Sequence, residues 1–110
     1  MGKRKYLPLT PSEVVSTITA LGFVLKRRQG SHAHYEGIDE SGKRAIVTVD
    51  EGYDQFDETR MKSMIAQSGF DREKFYGATK QIAKRAGLKQ YTGAPPKKPQ
   101  PVVGVAPKGE

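Results

Sequence analysis

The chain has 110 residues, about the length of one domain, and carries 19 Lys and Arg against 12 Asp and Glu for a formal net charge of +7. This charge favours a polyanionic partner, with nucleic acid ahead of an anionic membrane surface. No apolar run approaches the roughly 20 residues of a membrane-spanning helix, and no apolar signal-peptide segment follows the basic start, so we expect a cytoplasmic protein. With no cysteine and only two histidines, we expect neither disulfides nor a metal or other cofactor.

The first helix is predicted to begin at Pro11, after a basic lead-in formed by residues 1–9. Thr10 supplies a capping hydroxyl, and Glu13 can reach back to the backbone amide of Thr10. Gly22 can adopt the left-handed conformation that ends the helix. The apolar stripe that this helix buries consists of Val14, Val15, Ile18 and Leu21.

Three extended segments follow and predict an antiparallel meander; they span residues 23–28, 31–36 and 44–49. The third segment is rich in β-branched residues and is the most strand-like. In the first segment, simple alternation places Arg27 on one side and both Lys26 and Arg28 on the other.

The second segment contains both histidines and follows a turn at Gly30. Alternation places Ala33 and Tyr35 on a buried face, and it places His32 and His34 together on the opposite face, which is open to solvent. Because histidine exchanges protons near neutrality, any proton transfer by this chain is expected here.

The C-terminal half begins with a loop, residues 50–58, that contains five carboxylates. Asp57 is predicted to cap a helix that ends at Gly69, and Asp71 is predicted to cap a further helix over residues 72–86. From Leu88 the composition changes, and residues 88–110 contain five of the seven prolines. We predict that this Pro/Lys-rich segment is a disordered tail.

These elements predict an α+β fold in which residues 10–87 form one domain. A helix, a three-stranded antiparallel sheet and a second helix come first, and an extra C-terminal helix and the tail follow. One face of the sheet is covered by helices, and the other is left open.

Several short motifs occur in an order that resembles the HicA family, the small toxins of type II toxin-antitoxin systems. The resemblance covers about residues 8–75. Its motifs are Leu21-Gly22-Phe23 with a basic run after it, Gly30-Ser31-His32-x-x-Tyr35, Val47-Thr48-Val49, and the stretch from Met61 to Phe70. It implies a fold similar to the double-stranded RNA-binding domain, an mRNA-cleaving ribonuclease activity that needs no metal, and a HicB-like antitoxin that covers the active site.

The resemblance also implies that His32 is the catalytic residue. Cleavage would then use the 2′-hydroxyl of the RNA as nucleophile, while the imidazole moves protons. Cationic and polar side chains near the sheet are candidates for holding the RNA phosphates. These RNA-binding candidates are Lys26, Arg27, Arg28, Ser31, His34, Lys43 and Arg44.

Two alternatives remain open from the residues alone. The open basic face can bind RNA or DNA without cutting it, with the acidic loop as a sign of lost chemistry. Alternatively, the chain is a protein-interaction module whose sheet edge and Pro/Lys tail dock to another protein.

Overall fold

A computed structural model describes residues 6–91, which form an α+β fold with the predicted order of a helix, a three-stranded antiparallel sheet and further helices. Residues 1–5 and most of the predicted tail, 92–110, lie outside the described residues. The elements are α1 (Pro11–Ala20), β1 (Val24–Gln29), β2 (His32–Ile38), β3 (Arg44–Asp50), α2 (Glu58–Ser68), α3 (Arg72–Tyr76) and α4 (Lys80–Ala86).

The helix caps predicted from the sequence are confirmed. The backbone amide of Glu13 donates to the Thr10 hydroxyl at 3.2 Å, and the amide of Thr10 donates to the Glu13 carboxylate at 2.9 Å, which completes a capping box. Asp57 accepts from the amide of Arg60 at 3.0 Å and so caps α2. Gly69 ends that helix with a φ of 72°, a conformation that favours glycine.

The sheet has the strand order β1-β2-β3, and the helices cover one of its faces. Ala33 and Tyr35 of β2 are buried in the core together with Val47 and Val49 of β3, as the alternation predicted. All six residues of β1 are exposed, since this strand forms the edge of the sheet beyond the main cover of the helices. No described helix covers the other face of the sheet, and we call it the open face.

The single helix predicted over residues 72–86 is wrong, because the chain breaks into α3 and α4 at Gly77. A Cβ atom on Gly77 would lie 2.8 Å from the carbonyl oxygen of Glu73 and 2.9 Å from that of Lys89. Thr79 then caps α4 by accepting from the amide of Ile82 at 3.3 Å. The close approach of the segment that contains Lys89 thus requires glycine at this position.

Segments on both sides of residues 10–87 also pack against the core. Leu9 is fully buried, and the Tyr76 hydroxyl donates to the carbonyl of Leu7 at 2.7 Å. Leu88 and Tyr91, which the composition assigned to the tail, are partly buried against the same core. Within residues 6–91, no helix is long and apolar enough to span a membrane.

Candidate active site at the turn end of the open face

The turn between β1 and β2 brings His32 to one end of the open face. Gln29 pairs with His32 across the two strands, so that only Gly30 and Ser31 form the turn. Gly30 has a φ of 57°, a left-handed conformation that suits a two-residue hairpin turn. The His32 side chain is 55% exposed and is therefore accessible to a large substrate.

Asp50, the last residue of β3, lies directly across from His32. Its Oδ2 is 3.5 Å from Nε2 of His32, while its Oδ1 accepts from the Ser31 hydroxyl at 2.8 Å and from the amide of Gly52 at 3.0 Å. These hydrogen bonds, first from Gly52 and then from Ser31, hold the pKa of Asp50 below its usual range, and the charges of His32 and Arg60 act in the same direction. The carboxylate therefore stays ionised beside the imidazole at neutral pH.

The next row of the open face contains His34 between Arg27 and Thr48. Nδ1 of His34 lies 3.1 Å from the Thr48 hydroxyl, within hydrogen-bond distance. A shallow depression next to this row is lined by Lys26, Arg27, His34, Glu36 and Ile46. Both histidines share the open face, as the alternation of β2 predicted.

The predicted alternation of β1 is wrong, because a β-bulge adds one residue to this strand. Leu25 pairs with Tyr35 and Arg27 pairs with His34, so Lys26 is the extra residue. Arg27 consequently lies on the face of the histidines, and Arg28 lies opposite the buried Ala33. The basic run of β1 is thus divided between the two faces of the sheet.

Arg28 forms an ion pair with Glu51 on the helix-covered side. Glu51 in turn lines a surface hollow together with Pro11 and Ser12 of the α1 end. In the same loop, Asp57 is engaged with Arg60 at 3.1 Å. Three of the five carboxylates of the acidic loop, those of Asp50, Glu51 and Asp57, therefore have polar or charged partners within the chain.

Lys43 and Arg44 lie at the far end of the sheet from His32. Arg44 pairs with Ile38, six residues along β2 from His32, which corresponds to about 20 Å. Nε of Arg44 is 3.5 Å from the Glu36 carboxylate, and the amide of Lys43 donates to Asp39 at 2.9 Å. Of the predicted RNA-binding residues, only Ser31, His34, Arg27 and Lys26 lie on or beside the face near His32.

A groove between β3 and α2 also contacts Asp50. This groove was not predicted from the sequence. The Arg60 guanidinium lies 4.5 Å from the centre of the Tyr53 ring, and Gln67 accepts from the free-edge amide of Thr48 at 3.1 Å. The groove has a volume of about 230 Å³, below the usual range of small-molecule pockets. Because Thr48 and Asp50 belong to both the groove and the open face, we describe the groove as an extension of that face.

Within residues 6–91, no group of three or more His, Asp or Glu residues is arranged to hold a metal ion. Comparisons with protein-family models, with curated proteins and with solved structures found no match for the chain. Any functional interpretation therefore depends on the residues and on their geometry.

Proposed function

We propose that the chain is a small endoribonuclease of the HicA toxin type, which cleaves mRNA in the cytoplasm with His32 as its acid-base residue and is controlled by a HicB-like antitoxin. The observation that carries the proposal is the exposed imidazole of His32 at the end of an open sheet face, with the Ser31 hydroxyl and the Asp50 carboxylate beside it. An extended RNA strand has free access to such a face.

The reaction that fits this site is transesterification within the RNA. The 2′-oxygen attacks the adjacent phosphorus, and the bond from phosphorus to the 5′-oxygen breaks, which leaves a 2′,3′-cyclic phosphate and a 5′-hydroxyl. His32 accepts the proton of the 2′-hydroxyl, and the departing 5′-oxygen receives a proton from water. Acid-base catalysis by one positioned histidine contributes about 10² to 10⁴ in rate. No metal ion is needed as a nucleophile source, because the RNA supplies its own nucleophile.

Lys26 and Arg27 are the cations best situated to hold phosphates near this reaction. Both line the depression beside His34, one row from His32. Arg28, with its guanidinium paired to Glu51 on the helix-covered side, is a weaker candidate.

The test compares wild type with His32→Ala and His34→Ala on a labelled single-stranded RNA in EDTA. We expect His32→Ala to lose cleavage by about 10² or more, with 2′,3′-cyclic phosphate ends in the wild-type products only. His34→Ala, a change of the same kind on the same face, is expected to weaken binding and to retain cleavage. Equal cleavage by wild type and His32→Ala, with both folded by circular dichroism, would remove His32 from the reaction.

The antitoxin part of the proposal has a separate test. An adjacent reading frame should encode a small HicB-like protein that copurifies with this chain and blocks its cleavage of RNA. Induced expression of the chain alone should arrest growth, and His32→Ala should not. Equal growth of the two strains would argue against a toxin.

A nucleic-acid-binding module without catalysis is the second candidate. The observation that favours it is the negative charge next to His32, because the Asp50 carboxylate lies 3.5 Å from Nε2 of the imidazole. Of the nearby cations, Arg27 lies one row away and Arg60 lies in the groove beside Asp50. This reading predicts RNA binding whose log K falls linearly with log salt and no loss of intact substrate on long incubation. Arg27→Ala would then lower the affinity and reduce the salt slope by about one.

A further inference from the structure

We propose that Asp50 is a positioning residue for His32, which holds Nε2 of the imidazole and leaves Nδ1 as the atom that faces the RNA. The inference rests on the proposed function, because it assigns a second residue to the same reaction. The tautomer of the His32 ring, which Asp50 should control, is measurable without any activity.

The two oxygens of the Asp50 carboxylate have different partners. Oδ1 receives two hydrogen bonds, from the hydroxyl of Ser31 and from the amide of Gly52, and these fix the carboxylate in the turn that follows β3. Oδ2 takes no part in that turn and lies 3.5 Å from Nε2 of His32. A purely structural turn residue needs only the first oxygen, so the second is free to orient the imidazole.

The backbone reinforces this arrangement. Asp50 and His32 are direct cross-strand partners, and the amide of Glu51 donates to the carbonyl of Ser31 at 2.7 Å just beyond them. Both residues are thus attached to paired backbone on each side of the contact. Neighbouring side chains on such a pair are about 5 Å apart at Cβ, which keeps the carboxylate within reach of the ring.

An ionised carboxylate beside one ring nitrogen favours the tautomer that carries its proton there. With the proton on Nε2, Nδ1 has a free lone pair and can accept the proton of a 2′-hydroxyl. The other charged group that acts on Asp50 is Arg60, which comes from α2 and shares the adjoining groove. Its positive charge supports the ionised form of the carboxylate.

The decisive variant is Asp50→Asn, which keeps the shape of the side chain. Its carbonyl oxygen can still accept from Ser31 and Gly52, and its amide nitrogen then faces Nε2 as a donor. The neutral ring should respond by moving its proton from Nε2 to Nδ1. The matched control is Glu51→Gln, which removes the same charge from the adjacent position, where the partner is Arg28.

The first readout is the tautomer of His32, measured from the ring ¹⁵N chemical shifts of the neutral imidazole. We expect mainly the Nε2–H form in wild type and in Glu51→Gln, and a shift towards the Nδ1–H form in Asp50→Asn. The same tautomer in all three proteins would overturn the proposal. If wild-type protein does not cleave RNA, the proposed function fails, and this measurement still decides whether Asp50 orients His32.

The second readout is the cleavage rate at saturating RNA. In a serine-protease triad, the corresponding exchange of carboxylate for amide lowers kcat by about 10⁴; for the longer, exposed contact here we expect a loss of kcat of about tenfold or more. In a His32→Ala background, Asp50→Asn should have no further effect, because Asp50 acts through the missing ring. An increase of activity in Asp50→Asn through a lower KM would overturn the proposal, since that is the effect of removing a charge that only repels RNA.

Discussion

Replacement of Gly37 by alanine tests how tightly the sheet packs on its helix-covered side. A Cβ atom at this position would lie 2.6, 2.7 and 2.9 Å from three ring carbons of Phe23, whereas carbon atoms in contact are normally about 3.5 to 4.0 Å apart. Phe23 is only 1% exposed, and its ring packs edge-on against Phe70 with the ring centres 6.4 Å apart. The ring therefore has little room to move away from the added methyl group.

Overpacking of this kind costs about 1 to 3 kcal/mol. Alanine also restricts the unfolded chain, which returns about 0.4 to 1 kcal/mol where the backbone conformation allows it. The φ of Gly37 is not among the positive values of the chain, so no backbone strain adds to the clash. We therefore expect Gly37→Ala to lower the free energy of unfolding by about 1 to 2 kcal/mol, or the melting temperature by about 5 to 15 °C.

Urea and thermal unfolding followed by circular dichroism provide the measurement. The control is the same substitution in a Phe23→Leu background, where the ring is absent and the added methyl group should cost much less than in wild type. A Gly37→Ala protein as stable as wild type would contradict the predicted clash with the Phe23 ring. Additive losses from the two substitutions would refute it as well, because a clash requires both groups.

Two further predictions concern the hydroxyl of Tyr76 and the carboxylate of Asp50. Tyr76→Phe should cost about 1 to 2 kcal/mol in urea unfolding, because it leaves the Leu7 carbonyl without its hydroxyl donor; no loss would mean that this hydrogen bond does not hold the N-terminal segment. The depressed pKa of Asp50 stabilises the folded state above the unfolded pKa of about 3.9, and that contribution is lost as the pH falls through the lower folded value. The stability difference between wild type and Asp50→Asn should therefore shrink on acidification below pH of about 4, and a difference independent of pH would contradict it.

The features predicted correctly from the sequence depend on short-range interactions. Thr10 with Glu13 and Asp57 with the amide of Arg60 satisfy backbone groups within three residues, so their residue types alone predict the helix starts. The helix break at Gly77 is different, since glycine is tolerated in many helices. The need for glycine at this position comes partly from the carbonyl of Lys89, which lies in a later segment of the chain.

The placement of each cation of β1 on one or the other face of the sheet could not be predicted, for a related reason. A hydrophobic pattern fixes the register of a strand only where one face is buried, and every residue of β1 is exposed. The hydrophobic pattern of β1 therefore cannot reveal the extra residue at Lys26. Asp50 was missed as a neighbour of His32 because the register of β2 and β3 depends on how the chain turns between them, and the segment after Val49 has no regular period of its own.

Under the proposed function, the bulge at Lys26 also affects which phosphate of the RNA the protein would hold. Arg27 is paired with His34, two residues along β2 from His32, which is about 7 Å. For an RNA strand that crosses the open face, we infer that Arg27 contacts a phosphate beside the scissile one and leaves the charge on the scissile phosphate to nearer groups. Ser31 precedes His32 in the chain and carries a further hydrogen-bonding group, a hydroxyl that donates to Asp50. In the proposed reaction, a hydrogen bond from Ser31 to the substrate would compete with the one that anchors Asp50, because the hydroxyl has one proton. Either Ser31 would keep Asp50 in place, or the amide of Gly52 would hold it alone.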